Sequence, residues 1–434
     1  MRTKRFALLL AMGLLLSACL ISQPQISTVE VTRVVRETEI VTVEVTQIVQ
    51  QIQFATVEVT HIAPETPLAT PTFQPGLVTD ILKSVALHVP RAHHTATLLP
   101  DGRILLVGGS QSSNEHLVEV EIFDPASGSI TQVAPLHTAR RDHSATLLLD
   151  GRVLVVGGSS QPRQWLEDAE LYNPAEDTWM VVPPLYSHGV QHTATLMKDG
   201  RVLVVGGCID SGVCTDRVEI FDPQTNSWAE ASPLESSRAS HSAVLLEDGR
   251  VLVAGGGGGE SGAPAGGDAL LYDPQTNTWK ATGAMVIPRV FAQSVRLTDG
   301  RVLAVGGRTL DTEPVQTVLN GAELFDPATN TWTAVSSLRE PRMGFALLLR
   351  ADGQVLAIGG TREYSEEEWT ARSLIREIES YDPALNHWHV VGRLPQAVAY
   401  ATTTLLPDGR LWVAGGQGGK SSAAYWADTW MITP

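Results

Sequence analysis

A Gly-Gly doublet closes a short apolar run seven times in this chain, each time after a near-identical Asp-Gly turn. The doublets are Gly108-Gly109, Gly157-Gly158, Gly206-Gly207, Gly255-Gly256, Gly306-Gly307, Gly359-Gly360 and Gly415-Gly416, spaced by 49, 49, 49, 51, 53 and 56 residues. A period near fifty in a strand-only pattern means one supersecondary unit repeated. Such a unit cannot bury its apolar face alone and must stack on copies of itself.

Every unit follows one script. Strand a reads His-Thr-Ala-Thr-Leu-Leu or similar, as at His94–Leu99, His143–Leu148, His192–Met197 and His241–Leu246. The Asp-Gly pair that follows (Asp101-Gly102 to Asp408-Gly409) predicts a two-residue type I′ hairpin, because both central residues there need φ > 0. Strand b is apolar throughout, as in Ile104-Leu105-Leu106-Val107, so it is covered on both faces. Strand c ends in aromatic-Asp-Pro, as in Phe123-Asp124-Pro125 and Tyr381-Asp382-Pro383, with Tyr172-Asn173-Pro174 as the variant. A Trp then opens strand d at 179, 228, 279, 332 and 388, with Ile130 in the first unit. These Trp are expected to wedge between neighbouring units.

The doublet after an apolar strand, the aromatic-Asp-Pro and the spaced Trp, in register over residues 78–434, resemble the kelch repeat. The resemblance implies an all-β fold, a seven-bladed kelch-type β-propeller of four-stranded blades. The last unit runs only to Asp428–Pro434, a strand c, while Ile81–Leu87 precedes the first strand a where a strand d belongs. The N-terminal strand is therefore expected to complete the last blade and leave no open sheet edge.

The segment before residue 78 is of a different kind. Met1–Arg5 is basic, Phe6–Leu16 is an apolar run too short to span a membrane as a mature helix, and Leu16-Ser17-Ala18-Cys19 resembles a bacterial lipobox. Residues 1–18 are thus expected to be a lipoprotein signal peptide. Cys19 would be the lipidated first residue of an exported, membrane-anchored chain, and Leu20 in place of Asp leans towards the outer membrane or cell surface. Residues 19–77 then form the anchor, a stalk and a linker. Thr-Val-Glu-Val-Thr recurs at 28, 42 and 56, and apolar positions from Val31 to Ile62 alternate in steps of three and four. That is a coiled-coil seam, which would make a homo-oligomer through the stalk. The same triplets also read as alternating strand or an extended tether. Pro64, Pro67, Pro71 and Pro75 make a stiff linker.

Composition narrows the partners. A net charge of −16 lacks the electrostatic footprint of a nucleic-acid binder. Besides Cys19, Cys208 and Cys214 stand six apart in one loop; export favours a local disulfide, with a metal pair as the alternative.

Antiparallel order puts the short a–b and c–d turns on one face and the b–c and d–a loops on the other. The b–c loops at 257–268, 308–320, 361–376 and 417–427 are the long ones and are binding candidates. The d–a corners carry Arg91, Arg140, Arg238, Arg289 and Arg342, each ten residues before the turn Asp, and His94, His143, His192 and His241, each seven before it. Strand a is innermost in a propeller, so these groups are expected to crowd the channel mouth as donors to carboxylates or sugar hydroxyls. The alternative is that a residue repeated in unit after unit holds up the unit. Ala292, Phe345 and Ala401 replace the His in units five to seven, which implies an asymmetric pocket on that side.

No catalytic constellation stands out. Copper-radical oxidases of similar fold need a Cys joined to Tyr, and the only mature Cys besides the anchor are the adjacent pair. A sugar mutarotase running on Arg289, Glu363 and a His stays open. No zinc motif, phosphate loop or hydrolase elbow occurs, and no metal or cofactor is expected. The reading is a surface-displayed binding protein for a protein or glycan; the alternatives are an exported carbohydrate-active enzyme and a structural cell-envelope component.

Overall fold

The computed structural model describes residues 28–34, 40–46 and 80–434, without 163, 183–188, 211–212, 259–266, 311–316, 364–372, 419–423 and 434. It divides into two units, 1–73 and 74–434. In the first, Thr28–Val34 and Ile40–Thr46 pair as an antiparallel hairpin, with Thr28 opposite Thr46 and Val31 opposite Val43. Over these residues the coiled-coil seam does not form. Val and Thr lose χ1 freedom in a helix and pack readily on a pleat, so the alternation prevails. The signal segment, Cys19 and the Pro-rich linker lie outside the described residues.

Residues 80–434 form seven four-stranded antiparallel sheets, each in the order a–b–c–d. Blade 1 comprises Thr95–Leu98, Ile104–Val107, Val120–Asp124 and Ser129–Val133. The seven a strands neighbour one another around the ring. Closure follows the sequence: Asp80–Lys83 is strand d of blade 7 and pairs with Thr429–Thr433, Asp80 opposite Thr433 and Lys83 opposite Trp430. The strand is shorter than Ile81–Leu87, but the Ser84 and Leu87 amides still donate to Thr429 O and Ala427 O, at 2.9 and 2.8 Å.

The core lies between blades. Strand b is buried at every position in all seven. Leu105 and Val107 of blade 1 share one cluster with Val153, Val155 and Tyr172 of blade 2, and the other seams repeat this. The wedging Trp are where the repeat puts them: Trp179 packs on the blade 1–2 seam and donates from Nε1 to Ala134 O at 2.8 Å. Blade 1 has Ile130 at that position, and there the seam is filled from the other side. Trp412, in strand b of blade 7, is fully buried and stacks on Phe123 at 4.2 Å, with planes 6° apart.

The Asp-Gly turn differs from expectation. Only the glycine has a positive φ, 87° at Gly102 and 88° at Gly151. Leu99 N–H donates to Arg103 O at 2.8 Å, and Gly102 N–H to Leu99 O at 3.0 Å. This is a three-residue loop, a type I turn followed by a left-handed glycine, rather than a two-residue type I′ turn. The Asp is kept for its side chain: Asp101 accepts from Arg103 N–H at 3.0 Å and Arg103 Nε at 2.7 Å.

Candidate functional site

The arginines expected at the channel mouth lie behind it, buried, at 0–4% exposure. Each guanidinium donates to the carbonyl of the first Gly of its own blade's doublet: Arg91 to Gly108, Arg140 to Gly157, Arg238 to Gly255, Arg289 to Gly306 and Arg342 to Gly359. Each also meets a carboxylate near strand c, among them Glu170 at 2.7 Å, Glu323 at 2.5 Å and Glu379 at 2.6 Å. Burial lowers the pKa of Arg91, Arg289 and Arg342, and Glu121, Glu323 and Glu379 act against it. The main chain at the same residue binds the previous blade, because Gly109 N–H donates to Arg140 O at 2.8 Å and Gly416 N–H to Arg91 O at 2.7 Å. This explains the doublet. A Cβ on Gly206, at φ +62°, would stand 2.0 Å from Arg238 O. The arginine is an inter-blade latch.

The histidines are buried too, at 6–9% exposure. His94, His143, His192 and His241 each place Nε2 2.8–2.9 Å from a hydroxyl of the preceding blade, on Thr402, Thr95, Ser144 and Thr193. Burial, with Arg140 and Arg238 beside them, brings the His143 and His241 pKa down to about 3; burial, helped by Arg91, takes His94 well below its ordinary value. His94, His143 and His241 are neutral rungs between strands a, and His192 makes the same hydroxyl contact.

The side chains that do crown the channel belong to the residue just before each His position. His93, Asp142, Gln191, Ser240, Phe291, Gly344 and Tyr400 all have left-handed φ, between 54° and 63°. Their amides link corner to corner: Asp142 N–H donates to His93 O, Ser240 to Gln191, Phe291 to Ser240, Tyr400 to Gly344 and His93 to Tyr400, at 2.8–3.3 Å. In all seven blades the residue before this one bridges the residue after the Gly-Gly, as Ala92 does with Ser110, which fixes the corner to the stem of the b–c loop. Sequence reasoning passed over these seven residues. The signal was a column of seven different amino acids beside columns that repeat.

On the side of blades 5–7 the crown opens into a cavity of about 260 Å³. Phe291, Gln293, Met343, Gly344, Phe345, Tyr400 and Ala401 line one wall and His93, His94, Asp142 and His143 the other. Phe345 and Ala401, which stand in place of His, are part of its lining, as are the retained His94 and His143. His93 Nδ1 is 2.8 Å from Asp142 Oδ1, and its ring stacks on Tyr400 at 4.2 Å. Crowding alone would raise the Asp142 pKa; His93 and Arg141 outweigh it and hold the carboxyl at about 2. Of the long loops, 259–266, 311–316, 364–372 and 419–423 lie outside the described residues. Arg289 is buried in its latch while Glu363 is exposed, so these two residues do not form one site. Cys208 and Cys214 are joined by a disulfide across a small hairpin in the blade 3 b–c loop. Among the described residues no three His, Cys, Asp or Glu cluster as metal ligands, and no helix is long and apolar enough to cross a membrane.

The Attractin/LZTR1 β-propeller family model matches residues 77–307, more than half of the chain. The chain belongs to that family. A Kelch motif model matches residues 293–339 of this propeller as well. Among curated proteins it is similar to alpha-scruin of Limulus polyphemus, 30% identical over 144 residues, covering 33% of this chain and 15% of that one. It is also similar to Kelch-like protein 25 of Xenopus tropicalis, 28% identical over 166 residues, 37% of this chain and 26% of that one. The chain thus spans a minor part of the curated relatives it matches. Among solved structures, a fungal alcohol oxidase of the AA5 family in complex with copper superposes with a TM-score of 0.63 at 17% identity, over 82% of this chain and 76% of that one. That likeness is one of fold.

Proposed function

We propose that this chain is a non-catalytic binding protein, displayed at the cell surface on a lipid at Cys19, which takes a protein or glycan ligand on the face of its d–a corners and b–c loops. One observation carries this reading. Six of the seven corners hold a non-glycine residue in the left-handed region, a conformation costing on the order of 1 kcal/mol or more that glycine would adopt freely. Each bears a different side chain. Keeping six distinct side chains at strained positions around one opening suits recognition better than support.

The test is binding of the full chain to protein and glycan arrays. A variant with His93, Asp142 and Tyr400 all changed to Gly keeps the corner backbone and should lose its array ligands. Arg103→Ala, on the opposite face, should keep them. The reverse pattern would move the working surface to the other side of the disc.

A further inference from the structure

We infer that the channel-mouth cavity binds a single neutral pyranose ring, its hydroxyls on Asp142, His93 and Gln293 and its C–H face against the half-buried rings of Phe291 and Tyr400. This rests on the binding-face reading above and names the ligand class for it.

The lining is divided by chemistry. Blades 1 and 2 contribute His93, His94, Asp142 and His143, whereas blades 5–7 contribute Phe291, Met343, Phe345, Tyr400 and Ala401, with Gln293 as their polar member. Gly344 is small because the Tyr400 ring packs into the space a Cβ there would fill, and Ala401 is the small residue that follows that ring. A sugar ring has the matching division, hydroxyls around its edge and an apolar patch of C–H groups on one face. At about 260 Å³ the cavity is smaller than the roughly 300–1,000 Å³ of sites for drug-sized molecules, which suits one ring and excludes an extended chain.

Charge selects against the alternatives. Among the described residues lining the cavity there is no Lys or Arg, and the latch guanidinia behind it donate to carbonyls and carboxylates of their own blades. An acidic ligand would therefore face the Asp142 carboxylate, while Arg141 is engaged with that same carboxylate and the Arg308 guanidinium lies over the Phe291 ring at 5.3 Å. A basic side chain gains little, because Asp142 already has His93 Nδ1 at 2.8 Å from Oδ1 and Arg141 Nε at 3.4 Å from Oδ2. The carboxylate's charge is locally matched while some of its four lone-pair sites remain for donors. Neutral hydroxyls fit that condition, and a hydrogen bond from one to an ionised carboxylate is of the stronger kind. With Nδ1–H donating to the Asp142 carboxylate, Nε2 is the second polar atom of the His93 ring; it accepts from a hydroxyl when the ring is neutral and donates to one when the ring is an imidazolium.

The experiment is titration of the full chain by saturation-transfer NMR and calorimetry. The probes are methyl glucoside, galactoside and mannoside, the methyl glycoside of N-acetylneuraminic acid, and the amides of acetyl-arginine and acetyl-phenylalanine. At least one neutral pyranoside should bind in the millimolar range, at least tenfold more tightly than the anionic sugar or either amino-acid amide. Asp142→Asn should weaken it about tenfold and Gln293→Ala about threefold; the exposed Gln293 side chain allows that change without disturbing the fold. The inference is overturned if no neutral pyranoside binds, if affinity is unmoved in both variants, or if the arginine or phenylalanine amide binds best, which would make the cavity a pocket for a protein side chain. In any of those cases, array binding that still depends on the corners leaves the binding-face reading standing and removes the sugar alone.

Discussion

On one face of the disc, Asp-Gly-Arg recurs in six of seven a–b loops, and Asp101, Asp150, Asp199, Asp248, Asp299 and Asp408 all pair with the Arg two residues on. On the other face, seven corners with one backbone conformation carry seven different residues. In the first case the side chain is part of the device that makes the turn, so the repeat preserves it. In the second, the buried neighbours on either side fix the corner. In five blades the arginine latch anchors one side, with Gly189 and Val398 standing there in blades 3 and 7, the histidine or its replacement anchors the other, and the residue between them is free to vary. Repetition therefore marks support, and variation over an invariant backbone marks the surface available for recognition.

The strongest way to break this contrast is to remove a latch. Arg140→Ala leaves Glu170 buried without its guanidinium and should cost about 3–5 kcal/mol in denaturant unfolding. A loss below about 1 kcal/mol would return the arginine to the list of ligand groups. Acid should act next. The folded pKa of His143 and His241, about 3, lies below the ordinary 6.5, so between these limits the unfolded chain binds protons that the folded chain does not. Stability is whole above about pH 6.5 and falls as pH drops towards 3, by up to about 1.4 kcal/mol per pH unit for each histidine. His143→Gln should flatten that slope in a pH series of melting curves; an unchanged slope would place the protons elsewhere.

The turn face should respond weakly. Asp101→Ala removes an exposed pair and one amide contact and should cost at most about 1 kcal/mol by the same denaturant assay. Smallest of all, Gln191→Gly at φ 63° should leave unfolding within about 0.5 kcal/mol of the parent, since glycine accepts the corner as it stands. A larger loss there would mean that the corner side chains hold the ring together.

Much of the ring was legible because its signals are local and repeated. Hairpin loops, apolar b strands and the Trp after aromatic-Asp-Pro each need only a few neighbouring residues, and seven copies in register fix blade number and closure. Two of the three exceptions to the His column, Phe345 and Ala401, line the cavity, but so do the retained His94 and His143, so the exceptions located only part of it. Two local readings did not survive. The Asp-Gly pair gave the right place for a turn but the wrong loop length, since the residue before it joins the loop. The stalk's alternation competed with a heptad seam of equal quality, and over the described strands β-branching decided for the hairpin.

Sequence by itself determined that seven like units stack into a ring sealed by strands from both ends, because period, polarity and turn chemistry are written along the chain. It could also set Arg91 and His94 and their counterparts beside the channel. Only the tertiary structure decided which way they face. An arginine ten residues before a turn can reach outward to a ligand or inward to a glycine carbonyl. The choice depends on whether a carboxylate from strand c, some thirty residues away, has been buried within its reach. Once it has, the charge turns inward, and the left-handed residue two places further on meets the solvent.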